Sequence, residues 1–141
     1  MIIEQLFIGS VLMILTIIIH AVFIGFAASF ADQNREWFLK GSSSLNTMIA
    51  ITSVVLWMLS SITICTWIWA GTFFFLGVFN QIEPAVYFSL VTMTTLGYGD
   101  ITLDPQWRVL SGLTAVNGLL LFGLTTAFLV EFIFQIRKAQ K

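Results

Sequence analysis

The chain has 141 residues, of which 58% are hydrophobic and 9% charged, with a net charge of −1 and a mean hydropathy of +0.97. A single soluble core of this size cannot hide that much apolar surface, so a soluble enzyme is excluded. Six basic residues against seven acidic ones leave no basic patch for a nucleic acid, and the lone Cys65 excludes a disulfide scaffold. The solvent for most of the chain is lipid.

The charged residues fall in clusters, and the gaps between clusters mark the membrane segments. The first gap, Gln5 to Ala31, fits one helix, since a span needs about 20 apolar residues. Ala27, Ala28, Ser29 and Ala31 are small, as at a cleavage site. The run is nonetheless too long for a signal peptide, and Glu4 stands where a basic n-region would be. His20 lies inside this span with Thr16 one turn before it. An ionisable residue at such depth is a functional candidate, so His20 reads either as a pH-sensing group or as a neutral hydrogen bonder between helices. Asp32, Arg35, Glu36 and Lys40 then form the first loop.

The second uncharged gap runs from Gly41 to Ile82, long enough for two short spans or for one long span and a connection. Leu45 to about Ala70 has no hairpin signal and reads as one span, while Phe73 to Asn80, broken by Gly77 and Asn80, reads as a buried connection near one interface. Trp37, Trp67, Trp69 and Trp107 suit interfacial belts, although Trp67 equally suits packing between helices. The uncharged stretch from Pro84 to Gly99 is too short to cross and reads as re-entrant. Pro84 suits the first position of a short helix, capped by Asn80 or Glu83. Thr95-Leu96-Gly97-Tyr98-Gly99-Asp100 then leaves helical geometry. Glycine at alternate positions permits φ values that turn successive carbonyls to one side.

Val109 to Val130 is the final uncharged run and again fits one helix. Asn117 within it reads as an interhelical hydrogen bonder rather than an ion ligand. Three spans gather Arg35, Lys40, Arg137, Lys138 and Lys141 on one side and leave Arg108 on the other. Basic loops stay inside, so the N-terminus is expected outside and the C-terminus in the cytoplasm. The expected fold class is an all-α, multi-pass integral membrane protein with three transmembrane helices and a re-entrant segment.

The run Thr94 to Asp100 resembles the selectivity filter of the potassium channel family, with Leu96 where the family usually has valine. Tyr87 to Thr94 is similar to the family's pore helix. Gly118 follows Gly99 at close to the spacing of the family's inner-helix hinge glycine, and Gly123 is at a second such position. The resemblance covers about Leu45 to Gln135; the first helix has no counterpart in the minimal two-helix pore. It implies an N-terminal unit (residues 1–44: a transmembrane helix and a cytoplasmic loop) and a pore domain (residues 45–141). Within the latter it implies an outer helix at about 45–72, a pore helix at about 84–95, a filter at 95–100 and an inner helix at about 107–136.

By the same resemblance, K+ is the permeant ion. It binds at the carbonyls of Thr95, Leu96, Gly97 and Tyr98 and at the Thr95 hydroxyl, with Gly99 closing the filter. Asp100 would form a carboxylate ring at the outer mouth, or cap the turn after Gly99. In the family an aromatic of the pore helix often holds this Asp; the matching position here is Phe88, which has no donor. Val91 stands where some members carry an acidic residue, so no carboxyl pair is expected behind the filter. Leu119, Phe122, Thr126, Val130 and Phe134 form one stripe that would face the cavity and the exit, although Phe134 equally suits ordinary helix packing. Glu131 near the exit would raise local cation concentration, snorkel, or pair with Arg137 or Lys138.

One chain offers one filter strand and a carbonyl ring needs four, so a homotetramer in the plasma membrane is implied, with membrane lipid as its surroundings. No metal-ligand spacing and no nucleophile–base pair is visible, so no enzyme activity, organic cofactor, nucleic acid or small-molecule substrate is expected. The leading reading is a passive potassium-selective channel. The alternatives are a poorly selective monovalent cation channel of the same architecture and a non-conducting membrane subunit.

Overall fold

The computed structural model describes residues 2–33 and 44–139. Arg35, Glu36, Trp37, Lys40 and Lys141, assigned above to a loop and a terminus, lie outside the described residues. Among the described residues four α-helices follow in order: α1 (Ile2–Gln33), α2 (Ser44–Phe75), the short α3 (Ile82–Met93) and α4 (Arg108–Ala139). A 3-10 turn, Pro105–Trp107, leads into α4. Among the described residues there is no strand. Helices α1, α2 and α4 are each long and apolar enough to cross a membrane. At 32 residues each they extend about 48 Å, longer than a hydrocarbon core of about 30 Å, so they tilt or project beyond it.

The side chains are distributed inside out relative to a water-soluble bundle. Ile3, Phe7, Ile14, Phe26, Leu56 and Trp67 face outward, whereas Gln5, Thr16, His20, Ser61, Thr114 and Asn117 are buried. Lipid is as apolar as leucine, so burying leucine between helices gains little. Polar groups and small residues hold such helices together instead. Trp67 is more than half exposed, as a belt residue should be. Trp69 is 0% exposed and packs in the interior, which corrects its expected place in the belt. Two positions apart on a helix are about 200° apart, so the two rings point to opposite faces.

Two apolar clusters fix the order along the bundle axis. Leu12, Trp69, Phe73, Phe88, Met93 and Leu110 form the upper one. Ala27, Ala50, Met58, Phe132 and Ile136 form the lower one. Thus α1 and α4 run parallel, α2 runs against both, and the N-terminus lies at the same end as α3. Helix α2 extends through Phe75, so Phe73 belongs to its last turn rather than to a connection. It ends in a Schellman motif: Val78 N–H donates to Phe73 O at 3.0 Å and Gly77 N–H to Phe74 O at 3.0 Å. Gly77 carries φ +71° there, a conformation that a side chain would strain.

Helix α3 starts two residues earlier than expected. Gln81 is its N-cap, without a side-chain capping bond, so neither Asn80 nor Glu83 fills that place. Pro84 is the third helical residue rather than the first. It is still among the four whose N–H has no intrahelical acceptor, so the ring is tolerated. Phe88 stands edge-on to Phe73, with centroids 5.3 Å apart, and so seats α3 against α2.

Candidate functional site

Helix α3 stops at Met93, and Thr94 closes it, its N–H reaching Leu90 O at 3.0 Å. The next five residues alternate in backbone sign: φ is +58° at Thr95, +51° at Gly97 and +79° at Gly99, with Leu96 and Tyr98 negative between them. In an ordinary strand successive carbonyls point to opposite sides. Alternation between left- and right-handed regions instead gathers N–H groups on one side and carbonyls on the other. Thr95 is the one non-glycine with positive φ among the described residues. Such a position is costly and persists where the surroundings fix it.

The surroundings here begin with the end of α3. The Val91 carbonyl accepts from Leu96 N–H at 3.1 Å and from Gly97 N–H at 3.2 Å, while Thr95 N–H donates to Thr92 O at 3.0 Å. The N–H side of the segment is therefore tied back to the helix, which leaves the carbonyl side for a ligand. At the far end the Tyr87 hydroxyl donates to Asp100 Oδ2 at 2.6 Å. This corrects the expectation that the aromatic holding Asp100 would be Phe88 and would lack a donor. Phe88 is turned into the apolar core, and Tyr87, one position earlier, supplies the bond. The signal was available, since Tyr87 carries the only phenolic hydroxyl in α3. Hydrogen bonding from that phenol, aided by backbone N–H groups, holds the Asp100 carboxyl below its usual range.

Gly118 is buried where α4 crosses the end of α3. A Cβ added there would fall on the backbone of Met93, on its carbonyl oxygen, carbonyl carbon and Cα. The sequence offered this glycine as a hinge; the structure adds a packing duty against Met93, the residue that ends α3. Around Gly123 the space is open.

Leu96 and Tyr98 are 55% and 68% exposed, and Leu119, Phe122, Thr126, Val130 and Phe134 are exposed as well. Residues 95–100 and the α4 stripe are thus not covered by the chain itself. A cleft of about 460 Å³, bordered by Thr92, Thr95, Gly97, Arg108 and Ser111, separates the segment from the start of α4.

The polar residues within the spans have other partners. Asn117 Oδ1 accepts from the Thr16 hydroxyl at 3.1 Å, the interhelical role expected of it, while its Nδ2 is buried without a partner. His20 lies between Ser61 Oγ, 2.9 Å from Nδ1, and Thr125 Oγ1, 3.0 Å from Nε2. The hydrogen-bonding reading of His20 is therefore the one its surroundings fit. Glu131 accepts from Gln135 at 3.0 Å.

The ion channel family model matches residues 61–135, more than half of the chain. The calcium-gated potassium channel TvoK of Thermoplasma volcanium is 41% identical over 54 residues, 38% of this chain and 16% of that protein. The potassium voltage-gated channel protein shk-1 of Caenorhabditis elegans is 42% identical over 53 residues, 37% of this chain and 10% of that protein. The aligned stretch is a small part of both relatives. No solved structure matches the chain. The family match covers more than half of the chain and includes the glycine-alternating segment behind α3, and the chain belongs to the ion channel family.

Proposed function

We propose that four copies of the chain surround one axis and conduct K+ passively and selectively down its gradient. The observation that carries this reading is the alternating φ of residues 95–99. A cation entering lipid must exchange its water for other oxygens, and a ring of backbone carbonyls supplies them without a full charge that would hold the ion. In this reading Thr95, Leu96, Gly97 and Tyr98 coordinate K+, and Gly99 completes the strand. Asp100 forms an acidic ring at the outer mouth. The exposed stripe of Leu119, Phe122, Thr126, Val130 and Phe134 lines the cavity and exit, where four Phe134 rings narrow the path and repel water. Gly118 and Gly123 are the bending points above that exit.

The uncovered filter edge and the cleft behind it support assembly, because neighbouring copies would cover both. Residues 45–141 are the pore domain and residues 1–44 an added span and loop. The protein sits in the plasma membrane with its N-terminus outside.

Purified protein in liposomes should pass K+ in preference to Na+, and native mass measurement should give a tetramer. Equal flux of the two ions would select the poorly selective channel instead. No flux from a stable dimer or trimer would leave only the subunit reading.

Tyr87→Phe is expected to raise the pH at which external acid reduces flux. The Asp100 carboxyl is held below its ordinary range, chiefly by the phenol. The contribution of that bond is complete above the usual aspartate pKa and is lost as pH falls through the lowered value. Without the phenol, protonation shifts up toward the ordinary aspartate range. Flux measured against external pH checks this, and superimposable profiles would show that the bond does not govern the mouth.

A further inference from the structure

The buried face of α1 is a stripe: Gln5, Gly9, Leu12, Thr16, His20 and Ala27. Its polar members meet α4 at three levels. At the top, Leu110 N–H donates to Gln5 Oε1 at 3.1 Å, which serves an orphan donor in the first turn of α4. Midway, the Thr16 hydroxyl meets Asn117 Oδ1 at 3.1 Å. Lowest, His20 Nε2 lies 3.0 Å from Thr125 Oγ1. The other His20 nitrogen is 2.9 Å from Ser61 Oγ on α2, so one ring ties all three spans together. A neutral imidazole has one donor and one acceptor, and a hydroxyl serves either way, so both bonds are satisfied at once. Beyond Thr125 the packing of α1 on α4 is apolar, with Ala27 against the cluster of Phe132 and Ile136.

The order along α4 matters. Gly118 and Gly123 come first, then Thr125, then Phe134. A bend at either glycine swings everything below it. It must therefore separate Thr125 from His20 or carry α1 along.

We propose that α1 is a latch on the inner helix, and that His20 is the positioning residue that holds α4 straight across Gly118 and Gly123 until the contact with Thr125 is released. This rests on the channel reading above. It assigns the added span a task in gating, and it makes the lowest rung, rather than the number of rungs, the quantity that sets the resting state.

The test uses full-length protein in liposomes and in nanodiscs. His20→Leu removes both bonds of the knot and should raise resting K+ flux about three- to tenfold, the scale of one or two interhelical hydrogen bonds in a membrane. Thr125→Val, which keeps the shape and removes one bond, should raise it in the same direction and serves if the leucine variant assembles poorly. His20→Gln, with a donor and an acceptor retained, should stay nearer the native flux. Gln5→Leu, which cuts the top rung and leaves the latch in place, should lower thermal stability with flux within about twofold of native.

Amide exchange in nanodiscs reads the latch without reference to conduction: in His20→Leu, exchange should quicken between Gly118 and Thr125. Unchanged flux in both Thr125→Val and His20→Leu, or equal flux gains from Gln5→Leu and His20→Leu, overturns the latch. So does an unchanged exchange pattern. If native protein passes no potassium, the channel reading fails, and the exchange measurement alone decides the latch.

Discussion

Gly118→Ala is expected to reduce potassium flux at least tenfold and to lower the thermal midpoint of the assembled protein. The added methyl meets the backbone of Met93, not the tip of a flexible side chain, so no rotamer change relieves the clash. Overpacking a close contact costs about 1–3 kcal/mol, and in the proposed tetramer the cost would recur in each subunit, roughly 4–12 kcal/mol in all. Relief requires α3 and α4 to part. Met93 stands immediately before Thr94 and Thr95, so the movement is passed to the proposed filter. Gly123→Ala is the control for helix stiffening: nothing lies near its added Cβ, and alanine is the better helix former, so the thermal midpoint should not fall. A Gly118→Ala protein as stable and as conductive as the native one would show that the Met93 contact opens freely.

Gly99→Ala is expected to abolish selective flux, by about a hundredfold or more, while leaving the assembly intact. At φ +79° an L side chain crowds its own carbonyl, at a cost of roughly 1–2 kcal/mol per residue. Over the four copies of the proposed tetramer this is about 4–8 kcal/mol, which the proposed filter would escape by rotating a peptide and withdrawing a carbonyl from the ion path. Space is not the obstacle, because the added atom meets nothing within 4 Å in its own chain. Folding and assembly should therefore survive, in contrast to Gly118→Ala. Potassium and sodium flux, with native mass on the same sample, measures both halves of this expectation. Retained selectivity would show that residue 99 does not need positive φ for conduction.

The two variants differ because they test different kinds of information. The strain at Gly99 is local. It arises within one residue, and the alternation of glycines in Leu96-Gly97-Tyr98-Gly99 announces it before any fold is known. The clash at Gly118 exists only because α4 crosses the end of α3, and nothing in Asn117-Gly118-Leu119 names Met93 as the neighbour. The same division runs through the aromatic residues. Tyr87 and Phe88 are adjacent, yet a helix turns about 100° per residue, so the register of α3 on α2 decides which ring enters the core and which reaches Asp100. The edge-on contact of Phe88 with Phe73 settles that register.

The sequence by itself determined the solvent, the number of spans and the alternating backbone of residues 95–99. These follow from uncharged runs of span length, from the sparse charges between them, and from glycine stereochemistry, all of which act over neighbouring residues. It also indicated that Asn117 would bond between helices, because a mid-membrane amide has few other choices. Tertiary structure alone decided the partners: Tyr87 for Asp100, Met93 for Gly118, Ser61 and Thr125 for His20, and the interior rather than the belt for Trp69. Each of these depends on how one helix is rotated about its axis against another. In lipid, hydropathy barely constrains that rotation, since both faces of a span are apolar; it is set by the few polar and small residues whose mates lie up to 105 positions away along the chain.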